Sequence, residues 1–146
     1  MKLSKRGEQA LKSLMELASA YPCKPLTLKH LSEMTGTSIK FLEQILLLLR
    51  RGRFVISIRG NRGGFVLARP PQEVYLGDVV RFVDGPLSPL GTKEDLEELL
   101  TTSERYYGLF KTLLDVRNSA SGILDHCSLW DVCQMSRGNL SRMYYI

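Results

Sequence analysis

Residues 38–68, SIKFLEQILLLLRRGRFVISIRGNRGGFVLA, combine the pattern of an amphipathic helix with that of a β-hairpin. Ser38 is a suitable N-cap, and apolar residues then recur at the i, i+3, i+4, i+7 spacing of a single buried face. These residues are Leu42, Ile45, Leu46 and Leu49. The pattern predicts a helix that starts near Ser38, runs to Arg51 and ends at Gly52.

Two short runs rich in β-branched and aromatic residues follow this helix. Phe54–Ile58 and Phe65–Ala68 are joined by Arg59–Gly64, whose sequence is RGNRGG. Strand-forming runs connected by Gly and Asn predict a hairpin. The connection does not end in the Gly-Lys-Ser/Thr of a P-loop and does not open a helix, so a nucleotide site is not expected.

Two more helices are predicted before this stretch. Helical periodicity extends from about Ser4 to Ala20, and Thr27 can cap a short second helix that stops at Thr35 and Gly36. A short helix, a tight turn and a third helix form a helix-turn-helix, and a hairpin directly after it is the wing of a winged helix. The predicted fold class is mainly α with a small β-hairpin wing.

The third helix has an outer face that is suited to base recognition. Steps of 100° place several residues opposite the buried stripe. They are Lys40, Glu43, Gln44, Leu47 and Arg51. In a helix-turn-helix the N-terminal residues of the second helix reach base edges, which adds Ser38. Glu accepts from cytosine, Gln pairs with adenine and Lys binds guanine or phosphate. The alternative is that these are only solvated positions of a packed helix.

The charges are divided unevenly along the chain. Residues 1–72 contain 13 Lys and Arg against 4 Asp and Glu, a net charge of +9, whereas residues 73–146 contain 7 against 11, a net charge of −4. Between Glu43 and Glu73 there is no acid, and all the basic residues are arginines. They are Arg50, Arg51, Arg53, Arg59, Arg62 and Arg69. Because guanidinium groups bind phosphates bidentately, residues 1–72 are predicted to form a DNA-binding domain.

Length and composition exclude several classes of protein. The 146 residues, 44% of them apolar, suffice for the core of one ordinary domain. The longest apolar run, Ile45 to Leu49, is far below the roughly 18 residues of a membrane helix, and Met1–Ser4 lacks the apolar segment of a signal peptide. We expect a cytoplasmic protein with no membrane partner. Neither His30 nor His126 lies beside a catalytic partner motif, so an enzyme is not expected.

Several motifs resemble the Rrf2 family of bacterial winged-helix regulators, over about residues 1–90. The matching segments are Met1–Ser4, Ala10-Leu11, SIKFLEQIL at 38–46, SIRGNRGGFVLARPP at 57–71, LGDVV at 76–80 and VDGPL at 83–87. The resemblance implies a homodimer that binds palindromic promoter DNA and regulates transcription, as a repressor in our interpretation. Gln9, Arg53 and Leu47-Leu48 depart from the family pattern.

The resemblance also implies which residues contact DNA. The expected major-groove residues are Ser38, Lys40, Phe41, Glu43 and Gln44. The expected minor-groove wing consists of Arg59, Gly60, Asn61, Arg62, Gly63 and Gly64. Arg50 and Arg51, at the end of the third helix, complete the predicted DNA-binding set on charge. The resemblance and the residue chemistry thus predict the same surface.

The second half, residues 73–146, is predicted to be a connecting helix, a divergent sensor segment and a dimerisation helix. Thr92 to Asn118 has a helical pattern, and Ile123 through Leu140 is similar to the family's long dimerisation helix. The predicted dimer contacts are Ile123, Leu129, Trp130 and Val132. Packing of this helix across a two-fold axis would set the two recognition helices about one DNA turn, ~34 Å, apart.

Many relatives hold an iron–sulfur cluster on three cysteines that lie before the dimerisation helix, but Gly85 to Asp125 contains no cysteine. On one continuous helix, Cys127 and Cys133 would diverge by about 120°. A cluster would therefore need Cys23 or a second subunit, and no metal site or cofactor is expected. A redox or cluster sensor using Cys127 and Cys133, and a protein-docking module that has lost DNA recognition, stay as alternatives. A small molecule or a protein is the expected effector.

Overall fold

A computed structural model describes residues 2–88 and 90–144 as a mainly helical chain with one antiparallel hairpin. Its elements are α1 (Lys5–Ala20), α2 (Leu28–Thr35), α3 (Ile39–Arg51), β1 (Val55–Ile58), β2 (Gly64–Leu67), α4 (Leu76–Asp84), α5 (Lys93–Thr102), α6 (Tyr107–Leu124) and α7 (Leu129–Tyr144). The predicted fold class is confirmed. Among the helices of the described ranges, none is both long and apolar enough to cross a bilayer.

The first three helices begin at the predicted N-caps. The side-chain oxygens of Ser4, Thr27 and Ser38 each accept a hydrogen bond from the backbone N–H three residues later. Such a bond satisfies one of the free N–H groups of a helix start. The turn between α2 and α3 contains Gly36 at φ 66°, the left-handed conformation that glycine adopts without a Cβ clash. The helix-turn-helix is therefore built from local signals in the sequence.

The wing is attached to the loop between α1 and α2. Val55 pairs with Leu67 and Ile58 with Gly64 in the antiparallel register of β1 and β2. Phe65 of β2 also pairs with Leu26 in the loop between α1 and α2. The N–H of Phe65 donates to the Leu26 carbonyl at 2.8 Å, and the Phe65 carbonyl accepts from the N–H of Leu26 at 3.0 Å. Gly64 has a φ of 150°, and a Cβ there would collide with the Leu26 carbonyl. Only glycine fits this crossing of two backbones.

One core joins the two predicted halves of the chain. Leu14 and Leu17 of α1 lie at its centre, with the apolar faces of α2, α3, β1 and α4 around them. Leu129 and Cys133 of α7 belong to the same buried cluster and are 0% and 6% exposed. The division of the chain at residue 72 stays a prediction from charge and sequence similarity.

Two segments that were each predicted to form a single helix are divided in the structure. Both predictions are therefore wrong. The pattern from Thr92 to Asn118 breaks at a 3-10 turn, Glu104–Tyr106, between α5 and α6. The predicted dimerisation helix breaks between α6 and α7, which leaves Ile123 on α6. The second break has a tertiary cause, since the N–H of Leu76 donates to the Cys127 carbonyl and the N–H of Leu129 to the Val74 carbonyl.

Helix α4 connects α1 to the turn between α6 and α7. At its C-terminal end, Asp84 accepts hydrogen bonds from the backbone N–H of Ser4, at 2.8 Å, and from the Ser4 hydroxyl. In its middle, Arg81 donates two hydrogen bonds of 2.7 Å to the carboxylate of Asp125 and one of 3.2 Å to Ser121. These bonds to Arg81 lower the pKa of Asp125, because they stabilise the carboxylate.

We predict that Asp125→Asn destabilises the fold at neutral pH and not at strongly acidic pH. A lowered folded-state pKa means that the pair stabilises fully above the ordinary carboxyl pKa of 3.8. This contribution is lost as the pH falls through the lower pKa of the folded protein. We expect a loss of about 0.5–1 kcal/mol at pH 7, the range for a partly exposed ion pair.

Urea denaturation of wild type and variant across this pH range measures the effect. Asp115→Asn is the matched control, because Asp115 forms an exposed ion pair with Lys111 one turn away on the same helix, α6. A difference between wild type and Asp125→Asn that persists unchanged at pH 2 would contradict the assignment.

Candidate nucleic-acid interface

Helix α3 has one fully buried face and one exposed face. The buried stripe consists of Leu42, Ile45, Leu46 and Leu49, each 0% exposed. Four of the five expected major-groove residues have exposed side chains. They are Ser38, Lys40, Glu43 and Gln44. The side chains with the hydrogen-bonding chemistry for base edges are thus free of contacts in the core.

Phe41 differs from the other four expected base-contacting residues. Its side chain is half-buried and packs against the core cluster, so only its outer edge is open to a ligand. Leu47, one of the departures from the family pattern, is 42% exposed on the outer face. Its neighbour Leu48 is half-buried against the core. Leu47 therefore offers the exposed face an aliphatic side chain able to contact a thymine methyl group.

The departure at Gln9 has a structural explanation. Gln9 is only 4% exposed, and its side-chain oxygen accepts a hydrogen bond of 2.6 Å from the hydroxyl of Thr37. Thr37 lies directly before the N-cap of α3 and is itself buried. A satisfied buried hydrogen bond fixes direction as well as distance. Gln9 therefore holds the N-terminal end of α3 against α1.

The end of α3 contacts the wing. Arg50 donates to the hydroxyl of Ser57 on β1 over 3.4 Å, a long hydrogen bond between exposed groups. Arg51 is exposed on the next position of the helix. The guanidinium group of Arg50 therefore lies where α3 meets the hairpin.

The wing tip presents exposed arginines on a tight glycine turn. The exposed residues of the tip are Arg59, Gly60, Asn61 and Arg62. Gly60 has a φ of 110°, and its carbonyl accepts a hydrogen bond of 3.0 Å from the N–H of Gly63. A Cβ at Gly63 would collide with the carbonyl of Ile58. The compact turn lets two guanidinium groups extend beyond the backbone, the shape needed to enter a narrow minor groove.

The three cysteines lie in three different environments. Cys23 is exposed after the end of α1, and Cys127 is half-buried in the connection before α7. Cys133 is buried on α7, with its sulfur 3.9 Å from both the Met15 carbonyl and the Ser19 hydroxyl. Because Cys127 and Cys133 do not share a helix, the 120° divergence expected from the sequence does not apply. Residues 2–88 and 90–144 contain no group of three His, Cys, Asp or Glu side chains able to hold a metal ion.

The environment of Cys127 disfavours a reactive thiolate. Burial raises its pKa, and the nearby carboxylate of Asp131 raises the pKa further. A thiol switch requires the opposite surroundings, since the thiolate is the nucleophile and basic neighbours stabilise it. The half-buried position of Cys127 therefore suits packing better than redox chemistry.

The predicted dimer contact Ile123 belongs to an apolar stripe on α6 whose other members were not predicted as contacts. Leu109, Val116 and Ile123 are 56%, 59% and 70% exposed and lie seven residues apart, on one face of the helix. Seven-residue spacing of apolar side chains is typical of helices that pair with another helix, and it is visible in the sequence. Among the other predicted dimer contacts, Trp130 is 41% exposed, Val132 is half-buried and Leu129 lies in the core of its own chain.

We predict that the three thiols react with Ellman's reagent in the order of their exposure. Cys23 reacts first, Cys127 reacts slowly with a rate that still rises above pH 9, and Cys133 reacts only after unfolding. Single Cys→Ser variants assign each kinetic phase. Fast reaction of Cys127 at pH 7 would contradict this order and support the redox alternative.

Sequence comparison with known proteins points to one family. The Rrf2 family model, described as "Iron-dependent Transcriptional regulator", matches residues 3–135. The HTH-type transcriptional regulator CymR of Bacillus subtilis is 32% identical over 147 residues, which covers 100% of both chains.

Solved structures lead to the same family. The structure of CymR, the global cysteine regulator of B. subtilis, superposes with a TM-score of 0.79 at 28% identity, covering 92% of this chain and 98% of that one. T. potens IscR superposes with a TM-score of 0.75 at 26% identity, covering 93% and 88% of the two chains. Because the family model spans most of the chain and CymR matches over its full length, this chain belongs to the Rrf2 family of transcriptional regulators.

Proposed function

We propose that the protein is a homodimeric regulator, acting as a repressor, that binds palindromic promoter DNA. The observation that carries this proposal is the exposed, arginine-rich surface formed by α3 and the wing. Lys40, Glu43 and Gln44 would contact base edges in the major groove, and Arg59 and Arg62 would enter the adjacent minor groove. A repressor of this kind acts by covering promoter DNA.

The electrostatics support duplex DNA over a protein partner at this surface. Residues 1–72 have a net charge of +9, and no carboxylate interrupts the chain between Glu43 and Glu73. A surface of this charge attracts the phosphate backbone whatever the base sequence, and the exposed side chains of α3 add base readout. A protein-docking module would not need arginines at the tip of the hairpin, where Arg59 and Arg62 lie.

The dimer would form through the helices of the second half. The stripe of Leu109, Val116 and Ile123 on α6 is 56–70% exposed, and Trp130 on α7 is 41% exposed. A second copy of the same chain would bury these side chains and present two recognition helices to the two half-sites of a palindrome.

The Rrf2 model describes iron-dependent regulators, but the donors of this chain do not fit an iron site within one protomer. Cys23, Cys127 and Cys133 lie apart, as described above, and the first is exposed while the last is buried. We therefore assign no step of regulation to an iron–sulfur cluster.

A small-molecule effector has a candidate site elsewhere. A mainly apolar cavity of about 480 Å³ is lined by Leu11 of α1, Val80 of α4 and Leu124 of α6, among others. Its volume and apolar lining are typical of ligand sites. A ligand there would contact both the helix that supports α3 and the helix proposed to form the dimer.

We predict that Arg59→Ala weakens binding to DNA without affecting the fold, because Arg59 is exposed and no carboxylate of the described residues pairs with it. Affinity for a duplex selected by the wild type from a random library falls by about 1–3 kcal/mol, as for loss of one specific arginine contact. Fluorescence anisotropy measures the change, and the urea midpoint stays at the wild-type value. Arg137→Ala, on the exposed surface of α7, is the control. Equal affinity of wild type and Arg59→Ala would contradict the role of the wing.

We predict that Ile123→Asp converts a dimer into monomers, because a carboxylate would be buried without a partner in the apolar interface. Sedimentation equilibrium measures the mass, and circular dichroism verifies that the helices remain. Leu90→Asp, which changes an equally apolar exposed residue outside the stripe, is the control. An unchanged mass for Ile123→Asp would contradict the proposed interface.

A further inference from the structure

The residue before the start of α3, Thr37, is bonded to both preceding helices. Its hydroxyl donates a hydrogen bond of 2.6 Å to the side-chain oxygen of Gln9 on α1. Its N–H donates to the carbonyl of Ser32 on α2 at 3.2 Å, and its carbonyl accepts a bond of 2.5 Å from the Ser32 hydroxyl. The N–H, the carbonyl and the hydroxyl of Thr37 are therefore all satisfied, and they fix this residue between α1 and α2.

Both partners of the bond between Gln9 and Thr37 are buried, whereas Ser32 is half-buried. Two apolar side chains in this place would pack without a preferred direction. A buried hydrogen bond, by contrast, is strong only at short distance and with a nearly linear donor and acceptor. The bond therefore restrains the point at which the chain enters α3.

The first turn of α3 depends on this restraint. Residues 38–41 contain no fully buried side chain, and the buried stripe of the helix begins at Leu42. Burial of the stripe fixes the rotation of α3 about its axis, but its packing starts one turn too late to hold the end of the helix. The position of the first turn depends on the half-buried Phe41 and on the hydrogen-bonded Thr37 before it.

The same bond lies beside residues that are expected to contact bases. A cavity of about 240 Å³ at this corner is lined by Gln9 and Thr37 together with Ser38 and Phe41, among others. Ser38 is the N-cap of α3, and Lys40 follows it two residues later. A shift of Thr37 would therefore displace the base-contacting end of the helix.

We propose that Gln9 is a positioning residue that determines base specificity, acting through Thr37 on the first turn of α3. This inference rests on the proposed DNA binding. Gln9 is buried and would not contact a base itself. Recognition of base edges needs donors and acceptors held within about 0.5 Å of their correct positions, whereas phosphate contacts carry no base information. Loss of the bond therefore lowers discrimination between sequences more than it lowers affinity for DNA in general.

The test replaces each partner of the bond in turn, with Gln9→Met and Thr37→Val. Fluorescence anisotropy measures affinity for a duplex selected by the wild type and for a random-sequence duplex, both at one salt concentration. The ratio of the two affinities falls by about tenfold in each variant, within the range for one impaired base contact. Affinity for the random duplex stays at the wild-type value, because the arginines that bind phosphate are unchanged.

The double variant that combines Gln9→Met with Thr37→Val separates positioning from stability. Each single change leaves a buried polar group without a partner and lowers the urea midpoint, whereas removal of both partners recovers most of it. The apolar pair has no preferred direction, so the affinity ratio stays about tenfold below that of the wild type. Thr37→Ser keeps the hydroxyl and retains the wild-type ratio.

Ser13→Ala is the matched control on the same helix. Ser13 is fully buried, and its hydroxyl donates to the backbone carbonyl of Gln9 at 2.8 Å, within α1. The change deletes a buried hydrogen bond without altering either partner of the bond between Gln9 and Thr37. The affinity ratio therefore stays at the wild-type value. Circular dichroism verifies that every variant is folded under the conditions of the binding assay.

The outcomes separate this inference from the proposed function. Equal affinity of the wild type for the selected and random duplexes would overturn base readout by α3, and with it both proposals. A wild-type ratio in Gln9→Met and Thr37→Val would overturn the positioning role and leave the proposed function intact. Recovery of the ratio together with the urea midpoint in the double variant would assign the bond to the fold and also overturn the positioning role.

Discussion

Burial of one face of α3 is the constraint on which the candidate interface depends. Leu42, Ile45, Leu46 and Leu49 pack into the core around α1 and lose all contact with water. Each fully buried side chain of this kind contributes about 1.5–3 kcal/mol, so rotating the helix about its axis would be very unfavourable. The polar residues on the opposite face are thereby held outward. The orientation of the candidate base-contacting residues therefore depends on the packing of aliphatic side chains on the other face of α3.

The same core joins the first half of the chain, residues 1–72, to the second half, residues 73–146, through packed side chains. Cys133 and Leu129 of α7 pack against α1, while α4 is hydrogen-bonded to Ser4 at one end and to Asp125 through Arg81 in its middle. A displacement of α6 and α7 would therefore be transmitted to the helix that supports α3. Packed cores of this density shift between discrete arrangements and do not deform smoothly. That property suits a transcriptional regulator.

Local signals were sufficient to predict much of the structure. Ser4, Thr27 and Ser38 are N-caps, and Gly36 forms the turn, because each acts within three or four residues of itself. The outward position of Lys40, Glu43 and Gln44 on α3 followed from the helical period. The heptad stripe on α6 was equally visible as a spacing, but it became notable only when its side chains proved to be exposed.

The sequence by itself determined the helix-turn-helix, the wing and the outward face of α3, because capping, periodicity and glycine turns are short-range effects. Tertiary structure decided the break before α7, where the backbone around Cys127 pairs with residues beside Tyr75. It also decided the burial of Cys133 and Leu129, and the contact of Phe65 with Leu26 that attaches the wing to the loop after α1. Each of these features depends on contacts between residues that are distant in sequence. The energies of such contacts cannot be predicted from local sequence patterns.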